Sequence, residues 1–239
     1  MRLKTFMRRL FYRRRGQLTY DGLVVPVTSR LITDPILDSL WKHRYEEPEL
    51  CALSALMRPD DRVLELGLGI GVVSGILARR YPTANFFSYE ANSELMPIIS
   101  HLHRLNGIKN VEVRFAVVAP IKNGMTRRFR RHQHFTESSL IAKSADVDEV
   151  EVPVHDAEAV MRDICPDLLI CDIEGAEGEL IPLLPLSGLR AAVIELHPKL
   201  LDREAIAKVF RAFLDAGLVP VVEKSSETVV AFERVGPLA

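Results

Sequence analysis

The sequence predicts a doubly wound α/β fold: a mostly parallel, seven-stranded Rossmann-like sheet with a C-terminal antiparallel hairpin. Three observations predict it. Short apolar, β-branched runs alternate with helical patterns, as in a parallel sheet covered on both faces. A glycine-rich turn joins the first of these strands to a helix. The last two strands are separated by Glu223-Lys-Ser-Ser-Glu227, too short for a crossover helix, which makes them a hairpin.

In chain order, strands are expected at 62–67, 85–90, 111–118, 167–173 and 189–196, followed by the hairpin of 217–222 and 228–233. Helices fit between them at 71–80, 93–105, 156–163, 176–184 and 203–216. Residues 18–27 form a strand pair around Asp21-Gly22, and helices at 30–41 and 47–57 cap the core. Residues 119–150 are polar and stand where the helix after the third strand belongs, so they form an insertion. The organisation is a basic arm and capping segment over 1–44 and one catalytic-type domain over 45–239.

The chain has 239 residues, 48% hydrophobic and 26% charged, enough apolar material for a full core and too much for a disordered chain. Its net charge of −1 gives no polyelectrolyte character, so no nucleic-acid partner is expected. Residues 1–15 carry seven Lys/Arg and no acid, leaving 24 basic against 32 acidic residues, or −8, in the remainder. Cys51, Cys165 and Cys171 form no CxxC pair, which suits neither a disulfide framework nor zinc. With no long apolar run and no signal-peptide pattern, a cytoplasmic location is expected.

Glu65-Leu-Gly67-Leu-Gly69-Ile-Gly71 ends an apolar strand and opens a helix, where glycines let the backbone approach a ligand. A nicotinamide GxGxxG fails in both registers, at Val72 and at Ser74, and no P-loop GxxxxGK[ST] occurs. GxGxG after an acid suits S-adenosylmethionine, which has no phosphate to place at a helix N-terminus. Glu90 ends the second strand 19 residues after Gly71, where a carboxylate accepts both hydroxyls of a ribose. Glu65 either reaches the amino-acid end of the cofactor or fixes the loop through backbone N–H groups.

Together with Tyr45-Glu-Glu-Pro-Glu49, Tyr89-Glu-Ala-Asn92, Asn106-Gly107, Asp172-Ile-Glu-Gly-Ala-Glu177 and Glu195-Leu-His197, these residues resemble the class I S-adenosylmethionine-dependent methyltransferases. Within them the chain is similar to the FkbM family of O-methyltransferases, over about residues 45–200. The resemblance implies the methyltransferase strand order with its reversed strand. It also implies a cofactor site made of Glu65, Gly67, Gly69, Gly71, Glu90 and Asn92, and methylation of a hydroxyl on a sugar, glycolipid or natural product. The chain departs from the family at Ile170, commonly Lys, and at His155-Asp156, usually Leu-Asp.

Independently of family, ligands bind at the carboxyl ends of the strands, where Asp172, Glu174 and Glu177 follow strand four and Glu195 and His197 follow strand five. Methyl transfer to oxygen needs a base for the hydroxyl proton, and Asp172 and His197 are the candidates. The alternatives are that Asp172 caps the following helix and His197 precedes Pro198 in a turn; Glu177 is read as complementing the helix dipole. Asp172, Glu174 and His197 could also hold a divalent cation, but no ligand spacing fixes a geometry and no metal is expected. His132, His134 and His155 read as surface residues.

Leu3, Phe6, Met7, Leu10 and Phe11 fall on one helical stripe, with Arg2, Lys4, Arg8 and Arg9 mostly away from it. Such a helix docks on a membrane surface or partner, or packs on its own body or a twin subunit. Arg127, Arg128, Arg130 and Arg131 either meet an anionic substrate or form a solvated hairpin. The alternative to an enzyme is a non-catalytic scaffold that keeps the cofactor fold and binds a partner or membrane through these basic segments. A nucleic-acid methyltransferase is disfavoured, because Asp172-Ile-Glu-Gly175 replaces the Asn/Asp-Pro-Pro-aromatic tetrapeptide usual there.

Overall fold

A computed structural model describes residues 2–120, 125–132 and 147–236. Its centre is a seven-stranded sheet in the order β11-β12-β10-β9-β3-β4-β5. Its strands are β3 (Arg62–Leu66), β4 (Asn85–Glu90), β5 (Val111–Phe115), β9 (Leu168–Cys171), β10 (Ala191–Glu195), β11 (Leu218–Pro220) and β12 (Val229–Arg234). The five strands from β10 to β5 pair in parallel, whereas β12 pairs antiparallel with both β10 and β11. This is the doubly wound, mostly parallel seven-stranded Rossmann-like sheet, closed by an antiparallel hairpin, that the alternation and the short last link predict.

Strands buried on both faces read as continuous apolar runs, and successive side chains go to opposite faces. Val63, Leu168, Ile170 and Val193 therefore enter one core, shared with β1 (Gln17–Tyr20), β2 (Leu23–Pro26), α2 (Asp34–Trp41), α3 (Glu47–Leu56), α4 (Val72–Arg80) and α5 (Met96–Asn106). Leu64, Leu66, Leu169, Cys171 and Ile194 enter the other, under α6 (Ala157–Ile164), α7 (Glu177–Leu180) and α8 (Arg203–Asp215). The sheet's carboxyl edge emerges between the two layers, as a doubly wound fold requires.

The expected third strand, 111–118, is two strands. At Ala116, whose N–H donates to the carbonyls of Glu90 and Arg114, the chain leaves the central sheet. It continues as β6 (Val117–Ala119), parallel to β8 (Val147–Asp156), which pairs antiparallel with β7 (Thr126–His132). Much of the expected insertion is thus a three-stranded sheet with a small core of Val117, Ala119, Phe129, Val152 and Val154. Residues 121–124 and 133–146, His134 among them, lie outside the described residues, as do the side chains of Arg130, Arg131 and His132.

Helix α1 (Arg2–Arg15) forms as expected, and it does not bury its apolar stripe on the body of the protein. Two of its arginines turn inward. Arg9 grips Asp38 at 2.9 and 2.6 Å and Asp34 at 2.7 Å, and Arg13 donates to the carbonyls of Val27 and Ile32. Carbonyls of the loop before α2, with the acids of that helix, make a polar socket that cations fill better than apolar side chains. Phe6, Met7 and Phe11 consequently face outward. No helix among the described residues is long and apolar enough to cross a membrane.

Candidate active site

The glycine loop sits between β3 and α4, and its geometry explains its composition. Gly67 and Gly71 have φ of +84° and +78°, which disfavour any side chain. A Cβ at Gly67 would lie 1.6 Å from the carbonyl oxygen of Asp172, so the loop after β3 presses directly on the end of β9. The first glycine therefore joins the cofactor loop to the acidic cluster, a role that its spacing alone did not reveal.

Glu90, at the end of β4, reaches back to this loop. Its Oε2 accepts the N–H of Gly69 at 2.8 Å and its Oε1 the N–H of Asn92 at 2.7 Å. Asn92, 3% exposed, in turn accepts the N–H of Glu94 and starts the next helical turn. Burial raises the Glu90 carboxyl to about 7 against these stabilising N–H donors. Glu65 lines the same cleft as Glu90, is buried, and accepts the Ser88 hydroxyl on the adjoining strand rather than N–H groups of the loop. Burial lifts it to about 8. Glu90, not Glu65, fixes the loop through backbone N–H groups.

Across the cleft, β9 and β10 end side by side and deliver Asp172 and His197. His197 Nε2 lies 3.6 Å from Asp172 Oδ1 and 3.3 Å from Glu174 Oε2. Its Nδ1 lies 2.9 Å from Glu177 Oε1, which also accepts the His197 backbone N–H at 3.0 Å. Glu177, fully buried, does more than complement a helix dipole; it holds the imidazole so that Nε2 faces the two carboxylates. Burial works against a charged His197, but the Glu177 hydrogen bond and the charges of Glu177, Glu174 and Glu195 outweigh it and raise the pKa. Asp172 is pushed well above the usual carboxylate range by burial and by neighbouring acids, Glu46 first.

Further carboxylates join this group. Glu46, in the left-handed region at φ 52°, and Glu49 in the first turn of α3 line the cleft with Glu195. Burial and mutual repulsion lift Glu46 to about 8, and burial lifts Glu49 to about 7. In the sequence Glu46 and Glu49 stand out only as part of the Tyr45–Glu49 block, since acids at a helix start ordinarily complement its dipole. Asp172, Glu195 and His197 offer donor atoms within 4.8 Å of one another, so Glu195 rather than Glu174 completes the group that could hold a cation.

Glu46, Glu49, Gly67, Gly69, Glu90, Asn92, Asp172, Glu174 and Glu195 line one cleft that opens to solvent, and His197 reaches its acidic wall through Asp172 and Glu174. Its remaining wall comes from β6 and β7, including Phe129 and Arg127. Arg127 stands 3.9 Å from Glu179, while Arg128 is exposed and pairs with Glu149. His155 is not a free surface residue; its ring meets Tyr89 edge-on at 5.6 Å.

Fold and cleft define a doubly wound α/β protein with a ligand site at the carboxyl edge of its sheet. No family model matches the chain, and no curated protein does. Among solved structures it is similar to a precorrin-6y C5,15-methyltransferase from Geobacter metallireducens GS-15, at 14% identity over 79% of this chain and 86% of that one, TM-score 0.46. It is similar to a ribosomal protein L11 methylase from Lactobacillus delbrueckii subsp. bulgaricus, at 13% identity over 81% and 80%, TM-score 0.47. A third is the magnesium protoporphyrin IX methyltransferase of Synechocystis PCC 6803 with bound SAM, at 12% identity over 80% and 81%, TM-score 0.45.

Proposed function

We propose that the protein is an S-adenosylmethionine-dependent methyltransferase that methylates a hydroxyl of a small molecule such as a sugar, glycolipid or natural product. The observation that carries this reading is the sharing of one cleft. The glycine loop with Glu90 lines one part of it, and Asp172, Glu174 and Glu195 another, with His197 reaching this acidic wall through Asp172 and Glu174; the two parts join where Gly67 meets the Asp172 carbonyl. The resemblance to the FkbM family narrows the reading to oxygen as the acceptor.

In this reading the Glu90 carboxylate accepts the ribose hydroxyls, and Asn92 and the Gly67–Gly71 loop enclose the adenosyl part. S-adenosylmethionine supplies an electrophilic methyl on a sulfonium. The chain's own task is to hold the acceptor hydroxyl in line with that methyl and remove its proton. His197 Nε2, aimed by Glu177 and flanked by Asp172, is placed for this proton transfer.

Two measurements test the proposal in sequence. Titration calorimetry should show one S-adenosylmethionine site per chain, and a screen of hydroxylated sugars and lipids with labelled cofactor should then find an acceptor. A chain that does not bind the cofactor would leave the scaffold reading in its place.

A further inference from the structure

Helix α1 turns Arg9 and Arg13 inward and leaves Phe6, Met7 and Phe11 exposed, unlike a helix that covers its own domain with an apolar stripe. Phe6, Met7 and Phe11 are 60%, 56% and 55% exposed. Single exposed apolar residues are normal, but Met7 and Phe11, one helical turn apart, lie side by side on one face. At about 100° per residue, Lys4, Met7, Arg8, Phe11, Arg14 and Arg15 share a sector of about 120°, while Phe6 falls about 80° outside it, toward Arg13. Lys4, Arg8, Arg14 and Arg15 are exposed as well. The outward face is therefore a pair of apolar side chains ringed by four cations.

Arg9 and Arg13 fix this orientation. Their contacts with Asp34, Asp38 and the carbonyls of Val27 and Ile32 tie down the opposite side of the helix. Charge distribution then selects the occupant. Residues 1–15 carry seven basic side chains and no acid, and the rest of the chain is −8. An anionic surface attracts this face and repels the body behind it, which orients the protein as well as binding it. A second copy meeting the same face across a twofold axis would instead oppose like charges.

We propose that α1 is an interfacial helix that seats the protein on an anionic lipid bilayer. Met7 and Phe11 enter the boundary between headgroups and acyl chains, and Lys4, Arg14 and Arg15 lie among the lipid phosphates, with Arg8 at the edge of the face over the Trp41 ring. This seat is independent of any activity in the cleft.

The test is flotation of the full chain with vesicles of phosphatidylcholine alone or with about 30 mol % phosphatidylserine, at low and high salt. Partition onto the anionic vesicles should exceed that onto neutral ones by at least about tenfold and weaken as salt rises. Two double variants, Met7→Ser with Phe11→Ser and Arg14→Glu with Arg15→Glu, should each lose about tenfold while keeping the parent's circular dichroism. Equal binding to neutral vesicles, no binding, or full binding by either double variant would overturn the proposal. So would a dimer in sedimentation velocity that the Met7/Phe11 variant abolishes, since a second copy would then own the face.

Discussion

The buried carboxylate of Glu177 accepts two hydrogen bonds from His197, one from its backbone N–H at 3.0 Å and one from Nδ1 at 2.9 Å. The pair joins the start of α7 to the residue that follows β10 by two positions, and it fixes both the tautomer and the direction of the ring. A base must be neutral to take a proton, and this imidazole is held above its ordinary 6.5. Turnover should therefore rise with pH along a limb lying above 6.5. Glu177→Gln keeps an acceptor but removes the charge, so the limb should move to lower pH in a kcat profile. His197→Gln should keep cofactor affinity and lower kcat by roughly 10²- to 10⁴-fold. An unmoved limb in the Glu177 variant would separate this residue from the proton transfer.

Glu90 couples cofactor affinity to pH. Its carboxyl, lifted to about 7 by burial, is ionised only above that value, and the ionised form is the stronger acceptor for ribose hydroxyls. Affinity for S-adenosylmethionine should climb as pH rises through 7 and then level off. Glu90→Ala should cost roughly 1.5–3 kcal/mol of binding and flatten that dependence. Calorimetry at several pH values checks both, and unchanged affinity in the variant would remove the ribose assignment.

Gly67→Ala should damage the fold before it damages chemistry. The new Cβ would enter the Asp172 carbonyl at 1.6 Å and sit on a backbone with φ of +84°. A loss of roughly 2–4 kcal/mol in urea unfolding is expected, together with a displaced Asp172. Gly188→Ala, where a Cβ meets nothing within 4 Å, is the control that should remain near the parent's stability.

How much of this was legible in the sequence depends on the range of the forces involved. Strands β3 and β4 and the pair around Asp21-Gly22 were legible because apolar runs and turn residues are local signals. The break at Ala116 was not, since Val111–Ala119 contains no glycine or proline and its second half pairs with a strand about 37 residues downstream. Arg9 points inward because acids 25 and 29 residues away await it, a partnership that helical periodicity cannot encode. In the cleft, Glu90, Asp172 and His197 could be placed by the strand-end rule, whereas Glu46 and Glu49 come from a helix outside the sheet.

The position of β12 bears on how the chain reaches its fold. The final strand in sequence is an interior strand in space, inserted between β10 and β11. Until it arrives, both neighbours present open edges, and Phe232, stacked on Phe213 at 4.2 Å, is missing from the core under α8. The β11–β12–β10 side of the sheet therefore depends on pairings such as Ala191 with Glu233 that are distant in sequence, and such pairings slow folding and leave edges open to misassembly until they form.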